Sequence, residues 1–112
     1  MSRYKTGDIV LFYEGEKKRP VLIINNGLGI DIDISVARIT SKNSRNQFDV
    51  ELIYWSEAGL SRPSVVRCSK ISTVRPGEQL LKLGSLKKED LDKVEETVKK
   101  YISLGFEGGQ HD

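Results

Sequence analysis

Between residues 8 and 83 the chain is built from short runs of β-branched, aliphatic and aromatic residues, each cut off by a turn signal. The run at 8–13 (Asp8-Ile9-Val10-Leu11-Phe12-Tyr13) is followed by the polar turn 14–18, and then by a second run at 19–25 with Val21-Leu22-Ile23-Ile24 at its centre. Such composition suits strands, and so short a connection suits a hairpin. The break Asn26-Gly27-Leu28-Gly29 precedes a third strand at 32–41. A polar, basic stretch at 42–47 reads as a loop, 48–54 returns to strand character, and 56–63 is a second loop containing Gly59 and Pro63. Two short strands at 64–68 and 70–74, the turn Arg75-Pro76-Gly77, and a last strand at 80–83 complete the series.

The pattern then changes period. Leu91, Val94, Val98, Tyr101 and Ile102 recur at helical spacing, with Glu89 and Asp90 at the positive end of the dipole and Lys99 and Lys100 near the other end. Ser85 is the expected N-cap and Gly105 the expected stop, so the spacing predicts a helix over about 86–104. The expectation is a single domain at 1–104 and a flexible Gly-rich tail at 105–112. Many short strands and one terminal helix give a mainly β class, a small barrel or sandwich. With 112 residues, there is material for one hydrophobic core.

Several functions are disfavoured by residue supply. The one histidine, His111, lies in the tail, and the one cysteine, Cys68, has no partner for an internal disulfide. A histidine-based hydrolase and a four-ligand zinc site are therefore not expected. Without a base beside it, Cys68 reads as a small buried residue rather than a nucleophile. No apolar run is long enough to span a membrane, and the start of the chain lacks a signal-peptide core, so the expected location is cytoplasmic. The net charge of +2 is mild, but Lys and Arg outnumber Asp and Glu over positions 1–75 while acids gather in the helix. That distribution is compatible with an RNA partner.

Five motifs occur in order: Gly7-Asp8-Ile9-Val10, Lys18-Arg19-Pro20-Val21-Leu22-Ile23, Ala37-Arg38-Ile39-Thr40-Ser41, the stretch Gly59 to Cys68 with Arg62-Pro63-Ser64, and Leu81-Lys82-Leu83-Gly84-Ser85-Leu86. Together, over about residues 6–104, they make the chain resemble the PemK/MazF family of toxin–antitoxin ribonucleases. The resemblance implies an SH3-like, partly open β-barrel with a C-terminal α-helix, in a homodimer that cuts single-stranded RNA without a metal or other cofactor. It also implies a cognate antitoxin that blocks the site.

Cleavage of this kind uses the RNA's own 2′-hydroxyl and leaves a 2′,3′-cyclic phosphate. Matched to the family's motifs, Arg19, Thr40 and Arg67 are the expected catalytic residues. An arginine fork suits phosphate oxygens, and a threonine hydroxyl can donate to them. Ser41, Lys42, Arg45, Arg62, Ser64 and Ser69 are the expected RNA-binding residues, and Tyr54 and Trp55 are candidates for stacking on bases or for packing. The sequence departs from the family in two places. Ser69 stands where many members have an acidic residue, with Lys70-Ile71-Ser72-Thr73 after it in place of the usual Gln-Ile-Arg-Thr, and the first hairpin loop is short. The alternatives are a catalytically inactive toxin-like binder on the same fold, such as one that docks on a topoisomerase or a decoy that binds the antitoxin, and a plain SH3-like module.

Overall fold

The structure is a computed structural model that describes residues 4–76 and 80–108. Among the described residues, six strands form one antiparallel sheet: β1 (Asp8–Glu14), β2 (Lys17–Asn25), β3 (Ile34–Thr40), β4 (Asp49–Glu51), β5 (Val65–Val74) and β6 (Leu81–Ser85). Their spatial order is β4-β5-β3-β2-β1-β6, so β4 and β6 are edges and the barrel is not closed. The helix α1 (Lys88–Gly108) follows. The mainly β class, the open barrel and the terminal helix all match expectation.

Alternation of side chains along the central strands builds two cores. Ile9, Leu22, Ala37, Ile39, Val66 and Cys68 pack on one face beneath Leu86 and Val94. Val10, Val21, Ile23, Ile34 and Val36 pack on the other face with Tyr4 and Leu80. On β3 this second face changes character along the strand: Ile34 and Val36 are buried, whereas Arg38 is exposed and Thr40 half-buried.

Four sequence expectations are corrected. The strands expected at 64–68 and 70–74 are one strand, β5, continuous through Ser69. The strand expected at 48–54 is only β4: the Leu52 N–H still bonds in register, to Ser64 O (3.0 Å), but the next donors, Ile53 and Tyr54 N–H, leave the ladder for the Asp90 carboxylate (3.0 and 2.8 Å). Ser85 is not the helix cap. It ends β6 opposite Asp8, and its hydroxyl donates to Asp8 Oδ1 at 2.7 Å. The helix begins at Lys88, and Lys87 O accepts the Leu91 N–H. Nor does Gly105 stop the helix, which runs on to Gly108. A single glycine costs a helix only about 1 kcal/mol. The turn residue Gly77 and tail positions 109–112 lie outside the described residues. Among the described residues, no helix is long and apolar enough to cross a membrane.

The loop at 52–64 buries Leu52, Ala58 and Leu60 in the first of the two cores, and two further contacts tie it to the body. Asp90, 2% exposed, holds the loop from the first turn of α1. At the other end, a Cβ on Gly84 would collide with the Ala58 carbonyl, so β6 and the loop touch backbone to backbone. Asp90→Ala leaves two N–H groups without their acceptor and is expected to destabilise the protein by about 2–4 kcal/mol in urea denaturation. Asp92→Ala, which breaks only the exposed pair with Lys88, is expected to be indistinguishable from the parent.

Candidate active site

The polar end of the second face is the site. β2 pairs with β3 so that Val21 stands opposite Arg38. Arg19 and Thr40, each two residues further along its strand, fall on that same face by alternation. Arg19 and Thr40 line a groove of about 450 Å³ together with Lys18, Ser41, Lys42, Arg62 and Ser64. These residues come from three separate stretches of the chain. Among the described residues, the groove's lining holds four cationic side chains and several hydroxyls, and no carboxylate.

The hydroxyls differ in what they can offer. Thr40 Oγ1 accepts the Lys42 N–H at 3.2 Å, so its own proton remains for an acceptor in the groove. Ser64 is buried, and its hydroxyl already donates to Arg62 O at 2.8 Å. Ser64 therefore shapes the turn that presents Arg62. Ser41 and Lys42 are exposed at the end of β3.

Arg67, Arg45 and Ser69 are not part of this lining. Arg67 lies on the same face one strand away, paired with Arg38 on β3 and with Asp49 on β4. Its Nε is buried and has no hydrogen-bond partner among the described residues. Arg45 is engaged elsewhere: its backbone N–H and Nε donate to Asp49 Oδ2 (2.8 and 3.0 Å) and its Nη2 to Oδ1 (3.2 Å). That fork closes the 41–48 loop onto the fully buried Asp49 side chain. Ser69 is half-buried where β5 breaks register with β3. The expected site is thus split: Arg19, Thr40, Ser41, Lys42, Arg62 and Ser64 are together, and the other three are not.

Sequence reasoning missed Lys18 and Ser61, which also line the groove, and Arg38. The signal for Arg38 was its spacing: two residues before Thr40 on a strand means the same face. Of the two stacking candidates, Trp55 packs against the larger core, and Tyr54 directs its hydroxyl at the Glu89 carboxylate on α1 (3.4 Å). No cluster of three His, Cys, Asp or Glu that could hold a metal ion occurs among the described residues.

The comparisons with known proteins meet this geometry. The family model for PemK-like, MazF-like toxins of type II toxin–antitoxin systems matches residues 5–102. The chain belongs to this family. No curated protein matches it. Among solved structures, it is similar to a chain of the MazE–MazF structure from Deinococcus radiodurans, with 17% identity, 88% of this chain and 94% of that chain covered, and a TM-score of 0.74. An endoribonuclease from Mycobacterial species gives 18%, 92%, 94% and 0.73. The Mycobacterium tuberculosis toxin MazF-mt6 gives 24%, 85%, 96% and 0.67. At these identities the likeness is one of fold.

Outside the groove, two groups of this family member have shifted acidities. Burial, with a smaller contribution from nearby Asp49, pushes the Cys68 thiol up to about 12. Burial also opposes ionisation of Asp49, but the Arg45 hydrogen bonds and the charges of Arg45 and Arg67 outweigh it and hold the carboxyl below its ordinary 3.8. A depressed carboxyl contributes stability that is complete above its unfolded value and disappears as pH falls through the folded one. Thermal unfolding from pH 7 to pH 2 should therefore show a loss below about pH 4, and Asp49→Asn should flatten that limb and lower stability at pH 7. Cys68 should resist iodoacetamide at pH 8 in the folded protein and react once urea unfolds it.

Proposed function

We propose that this toxin is an endoribonuclease that cuts single-stranded RNA in the Arg19–Thr40 groove by 2′-hydroxyl attack, without a metal ion. The observation that carries the reading is the meeting of Arg19, Thr40, Lys42 and Arg62 in one solvent-open groove. A phosphodiester has two non-bridging oxygens and gains negative charge as a fifth oxygen approaches. The Arg19 fork matches those oxygens. The Thr40 proton adds a neutral hydrogen bond, and Lys42 and Arg62 supply further positive charge along the strand. Arg67, one strand away beside Asp49, contributes charge to the same face. Donors fixed before the substrate arrives stabilise the developing charge more than water does.

In this step the 2′-oxygen bonds to phosphorus and the bond to the 5′-oxygen breaks. The 2′-hydroxyl releases its proton and the leaving oxygen gains one. The products are a 2′,3′-cyclic phosphate and a 5′-hydroxyl end. The lining offers cations and hydroxyls rather than the carboxylates and imidazoles that hold catalytic metals, which supports a reaction driven by these side chains.

The family's toxin–antitoxin character, and relatives solved as MazE–MazF and as an endoribonuclease with its cognate antitoxin, support neutralisation by an antitoxin. The resemblance carries the further reading of a homodimer acting in the cytoplasm.

Incubation of the protein with a long single-stranded RNA in EDTA should yield fragments ending in cyclic phosphate. Arg19→Ala should slow cleavage by about 10²–10³-fold, and Thr40→Val by about tenfold, the worth of one neutral hydrogen bond. Intact RNA with a folded protein would instead favour a toxin-like binder, and cleavage abolished by EDTA would refute the metal-free route.

A further inference from the structure

A second depression, of about 380 Å³, adjoins the groove, and Arg19 lines both. Val36 lies in its floor, Phe12 and Arg19 stand at one side, and Arg38, Lys70 and Ser72 at the other. Arg38 is two residues from Thr40 on β3, roughly 7 Å along the strand, the scale of a single nucleotide step.

Lys70 and Ser72 reach this face through an irregularity in β5. Arg38 pairs with Arg67 and Ala37 with Ile71, so Cys68, Ser69 and Lys70 have no partner on β3. Three extra residues are an odd number, and an odd insertion reverses which face the following residues point to. Regular alternation from Arg67 would have sent Ser72 and Lys70 toward the larger core. With the bulge, Ser72 pairs with Val36, on the face that carries Arg38, and Lys70 enters the depression.

We infer that this depression is a second nucleotide subsite, in which Arg38 and Lys70 hold the phosphate next to the scissile one and Phe12 stacks its base. The inference rests on the ribonuclease reading of the neighbouring groove. Two cations beside an aromatic ring on an apolar floor match a nucleotide's charged and flat parts.

A uniformly 2′-fluoro RNA oligonucleotide lacks the attacking hydroxyl, so its affinity can be measured across a salt series without cleavage. The Arg38→Ala/Lys70→Ala variant, with its fold checked by thermal unfolding, should bind at least tenfold more weakly at low salt. Its salt slope should drop by about 0.7, the worth of one phosphate no longer neutralised. Arg38→Lys/Lys70→Arg should restore the slope. Phe12→Leu keeps an apolar side chain against the core but removes the ring, and should weaken binding at least about fivefold with the slope unchanged. If the double alanine variant keeps the parent affinity and slope while Arg19→Ala weakens binding, the subsite is refuted and the groove stands. If the parent neither binds this oligonucleotide nor cleaves RNA, both readings fall. A double variant that keeps RNA affinity but loses affinity for an acidic peptide would assign the surface to a protein partner and overturn the inference.

Discussion

Strand β3 is paired on both sides, with β2 and with β5, and this double pairing fixes what every other part of the molecule can do. Ala37 and Ile39 must point into the larger core, so Arg38 and Thr40 must point out of it. A slip of one residue against either neighbour would bury an arginine and expose Ala37 and Ile39 to water. The core therefore sets the positions of the polar groups. The site inherits its precision from the packing of apolar side chains beneath it.

The second requirement is the loop that brings Arg62 to the groove from a distant part of the chain. Its backbone donors do not reach a strand. The carboxylate of Asp90 takes two of them from the first turn of α1, and close contact between Ala58 and Gly84 holds the other end. The helix thus acts on the site at a distance, as the anchor of a loop rather than as a source of catalytic groups. Asp49 does the same for the 41–48 loop through Arg45. Both acids are buried, and both hold in place a segment that carries or borders the groove's cations.

Much of this was legible in the sequence. Residue type and period set out the strands and the helix, and the order of Arg19-Pro20, Thr40-Ser41 and Arg62-Pro63-Ser64 pointed to a common site, which the groove unites. What escaped was whatever depends on partners distant in sequence. Arg45 looked like a loop cation available to phosphate, and only the fold shows it clamped to Asp49. Ser85 had the chemistry of a helix cap, but Asp8 on a neighbouring strand claims its hydroxyl. Lys70 and Ser72 seemed ordinary strand residues because an odd bulge has no signature in composition. Arg38 could have been found by counting two back from Thr40.

The central claim is that Arg19 and Thr40 act on one phosphodiester. A double-mutant cycle on single-turnover RNA cleavage, with Arg19→Ala, Thr40→Val and the combined variant, measures this directly. Groups sharing one phosphate should be coupled, with the double variant's loss falling short of the combined single losses by about 0.5–3 kcal/mol. Full additivity of the two losses would mean that the arginine and the threonine act at separate places, contradicting the account.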